Sequence, residues 1–152
     1  MAEKQFSADD IVFPALLRAA RSVYGGAIRE AQIDAGFDDI PKNGIYVIGA
    51  ISRTGAPMAA IIRQLGVSKQ AAGQLIDALV LRGYLERAVD DEDRRRLTVT
   101  LTERGRAAAD VSRKTVERID AALLKKVGRE RVAHARETLF ALIALGRKGD
   151  ET

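Results

Sequence analysis

Residues 58–106 read MAAIIRQLGVSKQAAGQLIDALVLRGYLERAVDDEDRRRLTVTLTERGR. One apolar segment ends at Leu65 and Gly66, and a second runs from Ser68 to Gly83. Gly66 can take the left-handed conformation that stops a helix, and the Ser68 hydroxyl can accept from the free N–H groups of the helix that follows. Ala72, Leu75, Ile76 and Leu79 recur at three- and four-residue steps and give that helix one apolar face. Residues 84–89 then alternate, residues 90–96 form an acid-and-arginine tip, and Leu97, Val99 and Leu101 alternate with Thr98 and Thr100. Two helices at a short turn, followed by a charged two-stranded ribbon, predict a winged helix-turn-helix.

The side of the second helix opposite its apolar face carries Ser68, Lys69, Gln70, Gly73, Gln74 and Asp77. Carboxamides near a helix start can pair with base edges in a major groove, and a lysine can meet phosphate. The same residues suit an ordinary solvated face, so this helix does not decide the matter. The ribbon tip adds Asp90, Asp91, Glu92, Asp93, Arg94, Arg95 and Arg96. A calcium loop would need a glycine and a distant glutamate that are missing here. Asp93 is expected to brace one arginine, leaving the others of Arg94, Arg95 and Arg96 to enter a narrow minor groove. A solvated hairpin tip is the competing reading of the same charges.

The residues from Gly66 to Gly105 resemble the MarR family of bacterial transcriptional regulators. The match lies in the helix start at Val67 and Ser68, the junction Leu79-x-x-x-Gly83-Tyr84-Leu85-x-Arg87, the wing Asp93-Arg94-Arg95, and Leu101-Thr102-x-x-Gly105. It covers about fifty residues strictly, and the combination of wing and Leu-Thr-x-x-Gly is specific where a helix-turn-helix alone is not. Two positions depart from the pattern. Gly73 and Gln74 stand where a hydroxyl and a basic residue are common, and Ala60, Ile61 and Ile62 replace an acid-Leu-Ala step. Fewer phosphate contacts are expected from this helix. The resemblance implies a homodimer with interleaved terminal helices, a pseudo-palindromic double-stranded DNA operator, and a small aromatic or lipophilic effector.

The whole chain has 152 residues and a formal charge of +4, enough for one domain with a core and compatible with a polyanion partner. There is no cysteine, which removes disulfides, thiolate catalysis and cysteine-based redox sensing. The polar start is not a signal peptide, and no apolar run is long enough to span a bilayer, so a cytoplasmic protein with no membrane partner is expected. Mainly α architecture with a small two- or three-stranded wing follows. Its DNA-binding core is placed at about residues 41–106, and dimerisation helices at about 8–35 and 107–146.

Upstream, Ile11, Phe13, Leu16, Leu17, Ala20, Val23, Tyr24, Ala27, Ile28 and Ala31 predict a long helix from Ala8, with Pro14 early in it and a weak point at Gly25 and Gly26. Gly36 breaks it, and Pro41 opens the next apolar segment. Thr102 is expected to cap a helix that ends at Gly128, and Val132, Leu139, Phe140, Leu142, Ile143 and Leu145 a last one that ends at Gly146. These stripes exceed what a small winged helix can bury, so they call for a second copy, or else for internal packing in a monomer. His134 is alone, no cysteine assists it, and no nucleophile-base spacing appears, so neither a metal site, a cofactor nor catalysis is expected. Phe13, Tyr24, Phe37 and Tyr46 are candidates for an effector pocket by the family resemblance, and plain core aromatics otherwise. A winged-helix dimer that binds a protein, or a ligand-binding protein without DNA activity, stays open beside the DNA-binding reading.

Overall fold

The computed structural model describes residues 7–54, 62–63, 66–89 and 97–147. A short 3-10 turn, Ala8–Asp10, precedes α1 (Phe13–Asp34). The long helix therefore starts later than its apolar pattern suggested. Pro14 lies in its first turn, where a missing N–H costs nothing. The helix continues through Gly25 and Gly26. Pro41 likewise begins a turn and not a helix: its carbonyl accepts from Gly44 N at 2.8 Å, Asn43 takes φ 66°, and α2 runs Gly44–Thr54. The first helix of the predicted helix-turn-helix lies outside the described residues except for residues 62–63, which are helical.

The next elements follow the local signals. Gly66 has φ 62°, and the Ser68 Oγ accepts from Ala71 N at 3.1 Å to cap α3 (Lys69–Leu81). Gly83, at φ 75°, turns the chain out of α3 into β1 (Leu85–Val89). β1 pairs antiparallel with β2 (Leu97–Leu101), Leu85 opposite Leu101 and Arg87 opposite Val99. α4 (Glu103–Val127) follows at once, capped by Thr102, whose Oγ1 accepts from Gly105 N at 3.0 Å and donates to the Gly83 carbonyl at 2.5 Å. Gly128 separates it from α5 (Arg129–Arg147), one residue beyond the expected Gly146.

Two compact units result, Met1–Thr115 and Val116–Thr152. The first holds the buried core: Val47, Ile48 and Ala50 of α2, Ile76 and Leu79 of α3, Tyr84, Leu85 and Leu101 around the hairpin, and Ala108 and Ala109 of α4. Phe37, Ile40, Leu75 and Val99 pack against it, partly buried. Removing such side chains from water contributes about 25 cal/mol per Å² of apolar surface. Gly105 sets the closest approach in this core. A Cβ there would overlap the Tyr84 carbonyl oxygen and stand 3.1 Å from a Leu101 methyl. In the second unit the apolar side chains of α5, Leu139, Phe140, Leu142, Ile143 and Leu145, remain exposed.

Candidate nucleic-acid interface and adjoining cavity

The division of α3 into two faces comes directly from its sequence. Ala72, Ile76 and Leu79 are buried, while Ser68, Lys69, Gln70, Gly73, Gln74 and Asp77 are all exposed. Open space surrounds the place where a Gly73 side chain would be, so another backbone could approach this turn closely. Asp77 is taken by a close ion pair with Arg87 of β1, which leaves Lys69 as the cation on the outer face of α3. Asp93, Arg94, Arg95 and Arg96 lie outside the described residues, so the wing tip enters only through its two strands.

The hairpin base is held by contacts that no sequence spacing announces. The Tyr84 hydroxyl donates to Asp39 Oδ1 in a short hydrogen bond. Arg104 Nη2 donates to the same carboxylate oxygen at 2.9 Å and to the Tyr84 oxygen at 3.0 Å, and Arg82 Nη1 donates to the Asp39 carbonyl at 2.6 Å. The Arg104 guanidinium also lies over two rings, 4.6 Å from the centre of Tyr84 and 5.5 Å from that of Phe37. Burial, and then the bond to Asp39, push the Tyr84 phenol up to about 12. The Tyr84 hydrogen bond, and next that of Arg104, hold the Asp39 carboxyl below its ordinary value despite some desolvation.

The same segment, residues 37–43, forms one side of a cavity of about 220 Å³ whose other side is α1. Phe37 and Tyr46 line it; Phe13 and Tyr24, the other two aromatic candidates, are not among its lining residues. Phe13 is exposed at the start of α1. Tyr46 is fixed by Arg21, whose Nε donates to its hydroxyl at 3.4 Å and whose guanidinium sits 4.8 Å from its ring centre. Sequence reasoning missed Gln32, which lines the cavity and is buried. Its signal was present: a lone amide four residues after Ile28, among the apolar residues of α1. His134 is exposed, and among the described residues no group of three or more His, Cys, Asp or Glu side chains could hold a metal ion. No helix among the described residues is long and apolar enough to cross a membrane.

With this geometry in place, comparison with known proteins gives a consistent result. The model of the MarR family matches residues 39–96. Among solved structures, MarR from E. coli in its reduced form is 22% identical with a TM-score of 0.66, covering 87% of this chain and 96% of its own. FabT from Streptococcus pneumoniae in complex with DNA is 18% identical at TM-score 0.68, covering 90% and 99%. MepR from S. aureus bound to ethidium bromide is 16% identical at 0.57, covering 90% and 98%. No curated protein matches by sequence. The MarR resemblance and the winged-helix fold, mainly helical with a two-stranded hairpin, are thus borne out.

Proposed function

We propose that this chain is a homodimeric, sequence-specific DNA-binding transcription regulator, a cytoplasmic repressor whose hold on a pseudo-palindromic operator is weakened by a small molecule. The observation that carries this reading is the divided face of α3. Its apolar side is spent on the core, and its outer side presents Lys69, Gln70, Gly73 and Gln74 to solvent next to a two-stranded wing. A MarR-type winged helix, shared in fold with a FabT solved on DNA and a MepR solved with ethidium bromide, supports the assignment. Exposed apolar residues on α1 and α5 support a second copy of the chain as the covering surface. The cavity beside residues 37–43 supports ligand response, because Asp39 ties that segment to the base of the wing.

The test is titration of a duplex from the gene's own upstream region, and of an unrelated duplex, at several salt concentrations. Wild type should bind its own duplex with a steep salt dependence. Gln74→Ala should cost about 1–3 kcal/mol on that duplex and little on the unrelated one. Arg95→Ala should weaken both and lower the salt slope by about one for each phosphate it no longer neutralises. One observation favours a protein partner instead: α3 offers one lysine, and Leu81 at its end is 88% exposed. In that case neither duplex binds with a salt dependence, and all three proteins behave alike.

A further inference from the structure

The amide of Gln32 is held from one side only. Its Nε2 donates to the Ala108 carbonyl at 2.7 Å and to Ser112 Oγ at 2.8 Å, so both amide hydrogens are used on α4. Ser112 Oγ lies 3.2 Å from the same carbonyl and donates to it, which leaves the serine oxygen able only to accept from Gln32. This fixes the orientation of the amide. Rotated by half a turn, its oxygen would face the Ala108 carbonyl oxygen, two acceptors with no hydrogen between them. Oε1 therefore points away from α4, and among the described residues it is buried without a hydrogen-bond partner, in a side chain with 3% exposure that lines the cavity.

We infer that this cavity is a binding site for a small, neutral, single-ring molecule that presents a hydroxyl or N–H donor to Gln32 Oε1. The volume, about 220 Å³, equals roughly seven waters at about 30 Å³ each and is smaller than the usual drug-sized pocket. Ile28, Ile33, Phe37, Ile40 and Ile45 supply apolar walls suited to a ring. An ionised carboxylate is an acceptor only, so it is repelled from the Gln32 end. An ether of the same shape fits the walls but leaves Oε1 unpaired, and that difference is what the site discriminates. The assignment deepens the proposed ligand response by naming the ligand class. It concerns the free protein, so binding measured without DNA is independent of whether the chain binds an operator.

Calorimetry on the full chain with p-cresol and with 4-methylanisole, its O-methylated counterpart, tests this. Wild type should bind the phenol saturably, at least about tenfold more tightly than the ether, the loss expected for one buried hydrogen bond. Gln32→Leu should bring the two probes to equal, weak affinity. Because Gln32→Leu also gives up the bonds to α4, a second variant is needed that leaves them intact. Ile33→Trp, at a half-exposed wall position, should fill the cavity and abolish binding of the phenol while circular dichroism stays as in wild type. Equal binding of phenol and ether by wild type overturns the inference. So does a cavity that is only hydrated and binds neither probe, or an Ile33→Trp protein that binds the phenol as wild type does.

Discussion

Two regions of this chain spend similar side chains in opposite ways. Around α3 and the hairpin, Leu79, Tyr84, Leu85 and Leu101 are buried to 9% exposure or less. Along α5, Phe140, Ile143 and Leu145 keep 69%, 55% and 71% of their surface. The first set is covered by elements of its own unit, α2 and the hairpin. The second set, in the unit Val116–Thr152, stands uncovered. An apolar stripe thus says that a surface must be hidden, and leaves open whether the same chain hides it. Stability should reside in the first region and assembly in the second.

The sharpest way to break that division is Gly105→Ala. The added methyl meets backbone at Tyr84, which cannot swing aside as a side chain would, so a loss of about 3 kcal/mol is expected in urea unfolding. A loss under about 1 kcal/mol would mean the hairpin base is looser than its contacts indicate. Next comes the pair Phe140→Glu and Ile143→Glu. Light scattering should show a dimer dissociating, with affinity weakened roughly 100-fold or more, while helical content persists. A dimer of unchanged strength would place the covered surface elsewhere and remove the contrast.

A finer probe is Tyr84→Phe, which keeps the buried ring and deletes its bond to Asp39. It should cost about 1 kcal/mol at neutral pH. The pH dependence follows from the shifts. Tyr84 is raised from 10.0 to about 12, so the fold favours the protonated phenol. That contribution is whole below pH 10 and is lost as pH climbs from 10 towards 12, so wild type and variant should converge there. Asp39 runs the other way. Its lowered value stabilises the fold above the ordinary 3.8 and is lost as pH falls below it. Parallel stability curves for wild type and Tyr84→Phe above pH 10 would show that the phenol does not titrate with folding.

What the sequence made legible was whatever is decided within a few residues. Ser68 and Thr102 cap helices because a hydroxyl reaches N–H groups three residues on, and Gly66 and Gly83 turn because their φ is positive. The buried face of α3 is a matter of helical period, and the register of β1 on β2 is a matter of alternation. Helix starts were less legible: Ala8 and Pro41 belong to apolar patterns, yet each enters a tight turn before its helix. The cavity was half legible. Phe37 and Tyr46 line it, but Gln32 acquires its role from partners 76 and 80 residues away. Asp39 meets Tyr84 and Arg104 across 45 and 65 residues. No spacing rule carries such distances.

Asp39 has a consequence for how a cell would experience this protein. Its carbonyl and carboxylate are gripped by Arg82, Tyr84 and Arg104, and its neighbours Asp38 and Ile40 line the cavity. An occupant that shifts this segment alters the wing, and a wing engaged on a duplex resists the shift. Thermodynamic linkage makes the two effects equal: if the small molecule lowers operator affinity by some factor, the operator lowers the small molecule's affinity by the same factor. Copies free in solution would then load first, at the lower concentration. Those already on an operator would respond later, and the number of copies per operator would set the threshold of the response.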